Sequence, residues 1–437
     1  MSAIAIARRP LLRPRQARLL VRALLVAAAA VAVKSFVVDP LTGHFSGSSE
    51  DFAAYLGAAR SMAGGGSPYA QFDPSTVVIA GFIYPPFAAL VVRPLAALSD
   101  HWAMVSWLFL TLACAVAGGV VVARTALPRT WPSAELGALA VLIFAPATYN
   151  YWHGQINPLI FLLLAVAYWA YVRERQVTAG VLLGFAAGIK VAPVIFLVLL
   201  LRRRWWRGGG AMVLVGAGTA GLAALLLGAG PTVTFLTQVL PALNRATGWI
   251  YNQSLGGLVS RLTDQSVIHV QPGSAFVQVA SAVAAVLVVG LAGWATRAGS
   301  RPPAERGAEY GLGVIAMLLA GGIAWYPHFM HLLIPLAAVL GLAAQRGWRA
   351  ERAVVLATLS AVAVFELVAP VAIAEMSIEG ITAVSRTAAW WPFLQVCSLP
   401  SLSAVWLAIA LAWRLLRSPV PADSPAAVDA LAVRPAT

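Results

Sequence analysis

The sequence predicts an all-α, polytopic membrane protein, and three observations carry that expectation. Of its 437 residues, 60% are hydrophobic and 11% are charged, whereas an ordinary soluble domain is about a quarter charged. Apolar runs near 20 residues recur along the chain, a length that crosses a hydrocarbon core of about 30 Å as a helix. The apolar/polar alternation that marks a membrane barrel is absent. The net charge of +14 is almost wholly arginine, because lysine occurs only at 34 and 190. Many of these arginines sit in short loops between spans, so they read as topology signals, and no nucleic-acid partner is expected. Cys114 and Cys397 lie inside apolar runs, which argues against a disulfide framework.

About a dozen membrane segments can be marked, at 19–38, 78–98, 102–123, 134–149, 156–172, 178–201, 209–228, 274–296, 308–324, 327–345, 353–372 and 391–416. The first is too long for the apolar core of a signal peptide and lacks a small-residue cleavage site, so it reads as a retained anchor. Residues 1–416 read as a single integral-membrane domain with loops at 39–77, 230–273 and 373–390. Residues 417–437, rich in Pro and Ala, read as a disordered cytoplasmic tail.

Orientation follows the basic residues. Arg8, Arg9, Arg13, Arg15 and Arg18 hold the N-terminus in the cytoplasm and put the first loop outside. Arg202, Arg203, Arg204 and Arg207 precede an outward span, so the 230–273 loop is also external. Arg297, Arg301 and Arg306 return the chain inside, Trp325–His331 is outside, and Arg346, Arg349 and Arg352 are inside again. The middle admits two topologies. Uniform segment length favours twelve full crossings, which leaves Arg124, Arg129, Arg173 and Arg175 external. Charge counting favours re-entrant hairpins at 78–98 and 178–201, with break points at Tyr84-Pro85-Pro86 and at Lys190 with Pro193. Full crossing is the expectation adopted here.

The external loops hold the candidate chemistry. Glu50 and Asp51 are adjacent in a chain with only 16 acidic residues, at the start of a half-polar helix suited to an interface. Asp51 reads as a catalytic base; the blander alternative is that both acids cap a surface helix. His328 and His331, spaced by three, share a helical face and suit phosphate binding or proton transfer, although neighbouring Trp325 and Tyr326 also fit simple interfacial anchoring. Lys190, in an otherwise apolar stretch, needs a partner, and a lipid phosphate serves; snorkelling to an interface is the alternative. His153, Gln155 and Asn157 open a segment with groups that suit sugar hydroxyls, and Asn157 before Pro158 equally suits a helix cap. Asn252 and Gln253 form a second amide cluster, in a stretch that also matches a glycosylation acceptor. Glu366 lies within an outward span, where it can pair with Lys190 or a histidine. No P-loop, dinucleotide fingerprint, paired-cysteine motif or nucleophile elbow occurs. No metal and no other cofactor is expected. If a sugar is transferred, its activated donor should reach the site through the membrane, carried on a lipid.

The chain resembles the bacterial integral-membrane glycosyltransferases of family 87. That group includes actinobacterial polyprenol-phosphate-mannose-dependent alpha-mannosyltransferases and related arabinofuranosyltransferases. The stretches that bear the resemblance are Asp51-Phe52 with Tyr55 and Gly66-Ser67-Pro68-Tyr69; Tyr84-Pro85-Pro86-Phe87; Gly154-Gln155-Ile156-Asn157; Gly180 through Pro193 with Arg202-Arg203-Arg204-Trp205; and Asn252-Gln253-Ser254-Leu255. They run in the family's order over roughly residues 45–345. The histidine pair differs, being adjacent in the family and three apart here.

The resemblance implies a multi-span fold of the GT-C type with its catalytic carboxylate, Asp51, in the first external loop. It also implies that Tyr55 and Tyr84 stand at the substrate site; Glu50 departs from the family pattern and is expected there as a neighbour that shares or modulates the Asp51 charge. The expected reaction is inverting transfer of mannose from a polyprenyl-phosphate donor to a glycolipid or lipoglycan acceptor, at the outer face of the cytoplasmic membrane. The donor phosphate falls to His328, His331 and Lys190. The rival readings are an arabinofuranosyl donor on the same lipid phosphate, a transporter or flippase of lipid-linked sugars, and a non-enzymatic scaffold in envelope assembly.

Overall fold

The computed structural model describes residues 14–72, 81–263, 274–297, 299, 301–368 and 390–418. Arg8, Arg9 and Arg13, nearly all of the 373–390 loop, and the expected tail beyond residue 418 lie outside them. Helices fill the expected apolar segments. In chain order they are α1 (Pro14–Val33), α2 (Glu50–Ala63), α3 (Pro86–Val92), α4 (Asp100–Ala126), α5 (Ser133–Ile143), α6 (Ala145–His153), α7 (Asn157–Val172), α8 (Gln176–Ile189), α9 (Phe196–Arg202) and α10 (Trp206–Leu227). They continue with α11 (Leu255–Thr263), α12 (Ala275–Ala295), α13 (Pro303–Ala320), α14 (Leu333–Arg346), α15 (Arg352–Ala363) and α16 (Trp390–Leu416). Six helices among the described residues are long and apolar enough to cross a membrane. The protein is an all-α, multi-pass membrane protein.

Burial sorts these helices by neighbour. On α10 and α12, Leu214, Leu225, Val286 and Leu287 are exposed, as expected of surfaces that face lipid tails. By contrast α13 is buried along nearly its whole length, so it forms the centre of the bundle. Lipid is as apolar as leucine, so helices in a membrane associate through close packing of small residues. The α8/α10 pair does this. A Cβ on Gly180 would lie 2.0 Å from the Gly208 carbonyl oxygen, and one on Gly188 would lie 2.2 Å from Thr219 Oγ1. These contacts also show that α8 and α10 run in the same direction.

The parallel run departs from the expected full crossing of 178–201. The α8 helix stops at Lys190, whose backbone is extended at φ −146° and ψ 123°. A short 3₁₀ turn at Ala192–Ile195, with Pro193 in its first turn, then redirects the chain into α9. Arg203, just past α9, reaches Glu174, just before α8, at 3.6 Å. The segment is thus a hairpin that begins and ends together, with Lys190 at its tip.

The described part of segment 78–98, from Gly81 onward, lies along α2. Tyr84 meets Tyr55 on α2, and Arg60, at the other end of α2, binds the Leu98 carbonyl at 2.9 Å. Charge counting is the argument that agrees with the structure. The end shared by Glu174 and Arg203 gathers an ion network: Arg203 with Glu309, Arg306 with Glu174 at 3.2 Å, Arg301 with Glu305 and with Glu309 at 3.6 Å, Arg346 with Glu305, and Arg414 with Glu351 at 2.7 Å. Basic loops that sequence length had split between two faces are together there.

Candidate active site

Local backbone chemistry brings the first loop onto the start of α7. Ser49, in a left-handed conformation at φ 52°, precedes α2 and places Asp51 in its first turn. The Ser49 amide donates to the Trp152 carbonyl at 3.3 Å, and Ser48 Oγ lies 2.9 Å from His153 Nδ1, so α2 is moored to the end of α6. Gly154 then turns the chain at φ +64°, and a Cβ there would sit 2.7 Å from Phe52 Cβ. Only glycine meets both demands. Trp107 Nε1 donates to the Gly154 carbonyl at 2.7 Å, and its ring stacks on Phe52 at 5.4 Å. Gln155 is thereby aimed at Asp51.

A chain of buried polar groups follows. Gln155 Nε2 donates to Asp51 Oδ2 at 2.5 Å, and Asn157 Nδ2 donates to Gln155 Oε1 at 3.2 Å. Lys190 Nζ donates to Asn157 Oδ1 at 2.7 Å and lies 2.9 Å from His328 Nε2. Tyr55 donates to the Tyr84 hydroxyl at 3.1 Å, and the Lys190 ammonium lies 5.6 Å from the centre of the Tyr84 ring. The hairpin tip therefore delivers its amine to the loop that carries Asp51.

Burial raises the Asp51 carboxyl from 3.8 to about 6; the Gln155 hydrogen bond and the Lys190 charge oppose that rise, and Glu50 adds to it. A base whose proton affinity lies near neutral is well matched to accepting a proton at working pH. Burial also holds the Tyr55 phenol well above its ordinary value, so it stays a hydrogen donor. The His153 ring is pushed down by burial, with Glu50 pulling the other way.

Two cavities meet at this chain. One, of about 550 Å³, is walled by Glu50, Asp51, Tyr55, Tyr149, His153, Gln155, Trp249 and Tyr251. The other, of about 210 Å³, is mostly apolar, with Val191, Val194, Ile195, Phe235, Leu240 and Met317, and has Lys190 and His328 in its wall. Ile83, Tyr84, Ile323 and Trp325 belong to both. A polar, aromatic chamber and a greasy groove thus share a wall, with Lys190 and His328 at the junction. Among the described residues, no three His, Cys, Asp or Glu side chains cluster as a metal centre requires.

Other expected residues stand elsewhere. His331 lines neither cavity; its ring stacks on Phe161 at 6.0 Å and its Nδ1 finds no partner. The stretch 326–332 is 3₁₀ helix, which rises about 6 Å per turn, so His331 is one turn beyond His328. Asn252 and Gln253 are buried with their amides consumed internally. Asn252 donates to Thr247 and Gly322 carbonyls and accepts from the Ala324 amide; Gln253 donates to Ile250 and Cys397 carbonyls and accepts from Ser401. They fasten the central loop to the 322–326 turn, where Tyr326 also donates its amide to the Tyr251 carbonyl at 2.9 Å. Asn157 is buried and lines neither cavity. Glu366 accepts from the Ala145 amide at 2.9 Å, at the start of α6, and pairs with neither Lys190 nor a histidine. The aromatic wall of Tyr149, Trp249, Tyr251 and Trp325 escaped the sequence reading. Its members come from three separate stretches, and only the pairing of the 249–253 and 322–326 turns brings them together.

The fold and this site define a class, an integral-membrane transferase. Residues 82–322 match glycosyltransferase family 87, and the chain belongs to that family. It is a glycosyltransferase. The matched stretch includes Tyr84, His153, Gln155, Asn157, Lys190, Asn252 and Gln253, while Asp51, His328 and His331 fall outside it.

The chain is 29% identical over 356 residues to a polyprenol-phosphate-mannose-dependent alpha-(1-2)-phosphatidylinositol mannoside mannosyltransferase of Mycobacterium tuberculosis. That similarity covers 76% of this chain and 75% of the relative. It is also 29% identical over 223 residues to a polyprenol-phosphate-mannose-dependent alpha-(1-2)-phosphatidylinositol pentamannoside mannosyltransferase of the same species, covering 48% of this chain and 50% of that protein.

Proposed function

We propose that this protein transfers a mannosyl residue from polyprenyl-phosphate-mannose to a phosphatidylinositol-mannoside type of glycolipid at the outer face of the cytoplasmic membrane. The observation that supports this reading is the shared wall between the two cavities. The apolar groove suits an isoprenoid tail, and Lys190 and His328 beside it suit the phosphate. The aromatic chamber with Asp51 suits the sugars of the acceptor.

In this reading Asp51 accepts the proton of an acceptor hydroxyl. The freed oxygen attacks the anomeric carbon from the side opposite the phosphate. The new glycosidic bond forms as the carbon–oxygen bond to phosphate breaks, and configuration inverts. The electron pair stays on the leaving polyprenyl phosphate, whose charge Lys190 and His328 stabilise. General-base assistance of this kind contributes about 10² to 10⁴ in rate. Tyr84, whose hydroxyl oxygen accepts from Tyr55, donates to the sugars, and Glu50 and His153 border the acceptor. Residues 1–416 form one membrane domain in this account, and 417–437 a cytoplasmic tail.

The test supplies purified protein in lipid nanodiscs with polyprenyl-phosphate-mannose and a phosphatidylinositol mannoside. Mannosylated lipid of inverted anomeric configuration is the expected product. Product from the arabinofuranosyl donor alone assigns the other sugar, and no product from either donor leaves transport or scaffolding in its place.

A further inference from the structure

The polar chain contains a residue whose position suits neither substrate. Asn157 is completely buried and borders neither cavity, yet both its amide hydrogens and its amide oxygen are engaged. Its Nδ2 donates to Asn150 Oδ1 at 2.9 Å as well as to Gln155. Asn150 in turn donates to the Pro327 carbonyl at 2.9 Å, next to His328 in the chain. His328 meets Lys190, and Lys190 returns to Asn157 Oδ1. The circuit closes through three elements distant in sequence: the α6–α7 junction, the tip of the α8–α9 hairpin, and the 3₁₀ turn before α14.

We propose that Asn157 is a positioning residue, which fixes the Lys190–His328 pair within this closed circuit and, through Gln155, fixes the Asp51 carboxylate relative to it. The inference rests on the mannosyl-transfer reading above and deepens it: the group that meets the donor phosphate and the group that meets the acceptor hydroxyl share one amide. Asn150 belongs to the same device. The Asn157 amide can be oriented in only one way, because Lys190 is solely a donor and must face its oxygen. Its NH₂ is then forced towards Gln155, whose own NH₂ is forced towards Asp51. Each link dictates the next, and a half-satisfied network of this kind is worth less than the sum of its parts.

The charged and titratable groups around Asp51 are Glu50 and Tyr55 on its own helix, Tyr84, His153 and Lys190. None of them changes when Asn157 is replaced by a neutral residue. Asn157→Leu and Asn157→Ser therefore alter the Asp51 environment through Gln155 and through Lys190, which loses its Asn157 Oδ1 acceptor, and Ser keeps the test available if Leu fails to fold. With Gln155 Oε1 left only its long 3.5 Å contact from the Tyr55 hydroxyl, the Gln155 donor to the ionised carboxylate is loosened, and the Asp51 titration moves upward by about half to one pH unit. Misplacement of the base lowers kcat roughly ten- to a hundredfold with little change in acceptor KM.

The readout that stands apart from turnover is the pH dependence of thermal unfolding, with the Asp51→Asn change made in each background as the reference. Its midpoint reports Asp51 ionisation in full-length protein in nanodiscs. A midpoint raised in the Asn157 variants supports the circuit. A midpoint within about 0.2 units of wild type overturns it, whatever the rate does, since a residue that merely packs would leave Asp51 undisturbed. If wild-type protein forms no product from either polyprenyl-phosphate sugar, the functional reading fails, and the midpoint still decides the circuit.

Discussion

Gln155 donates its amide hydrogen to Asp51 across 2.5 Å, although 104 residues separate the two in the chain. The contact brings an interfacial helix in the first loop onto the entrance of a buried apolar helix, α7. It gives a largely buried carboxylate a hydrogen-bond donor, without which the buried charge would cost several kcal/mol.

Asp51 should govern the acid side of the pH profile. Its carboxyl titrates near 6, raised by burial, so kcat/KM is expected to fall below about pH 6 and to level off above it. The sign for stability is opposite. Between the unfolded value of 3.8 and the folded value near 6, the folded state keeps a proton that the unfolded chain has released. Raising the pH through that window therefore destabilises the fold. Asp51→Asn removes the penalty and is expected to gain stability over wild type by up to about 3 kcal/mol above pH 6, with no gain near pH 3. Thermal unfolding across pH 3–8 checks this.

Lys190→Met should weaken the product, polyprenyl phosphate, about ten- to a hundredfold in Kd, the usual worth of a hydrogen bond to a charged group. His328→Ala should cost about tenfold in kcat. His331→Ala, one turn away and clear of both cavities, should leave Kd and kcat within about twofold. Equilibrium binding and steady-state rates in nanodiscs measure all three.

Gly154→Ala forces a Cβ to within 2.7 Å of Phe52 Cβ at a left-handed backbone position. A loss of about 1–3 kcal/mol in stability is expected. A fall in kcat should accompany it, because the displaced turn carries Gln155 away from Asp51. Unfolding temperature and rate are the measurements.

The α8–α9 hairpin predicts its own labelling pattern. With Cys114 and Cys397 replaced, single cysteines at Arg175 and Arg204 should react from the cytoplasmic side with an impermeant maleimide. A cysteine at His44 should react from the outside. Opposite sides for 175 and 204 would restore a full crossing.

Much of this was legible in the residues. Apolar lengths mark the spans, and scarcity of charge singles out Asp51 and Lys190, because a carboxylate or ammonium in so apolar a chain needs a reason. Span length could not tell a hairpin from a crossing. The break at Lys190–Pro193 and the arginines at 173, 175 and 202–204 could, and they outweigh it in the structure. Amide residues were the hardest to place. Asn157, Asn252 and Gln253 suit sugar hydroxyls by type, but each proves to be saturated by its own chain. Satisfaction of a buried amide depends on partners tens or hundreds of residues away, as with Gln253 and Ser401. The aromatic wall was hidden for the same reason.

Single-turnover transfer by Asp51→Asn tests the central claim most directly, using donor-loaded protein at pH 7.5 and a phosphatidylinositol mannoside acceptor. The expected outcome is a chemical step slowed by about 10² to 10⁴, with polyprenyl phosphate binding and unfolding temperature at or above wild type. Transfer by Asp51→Asn at a rate close to wild type would contradict the account, since the proton of the acceptor hydroxyl would then have another destination.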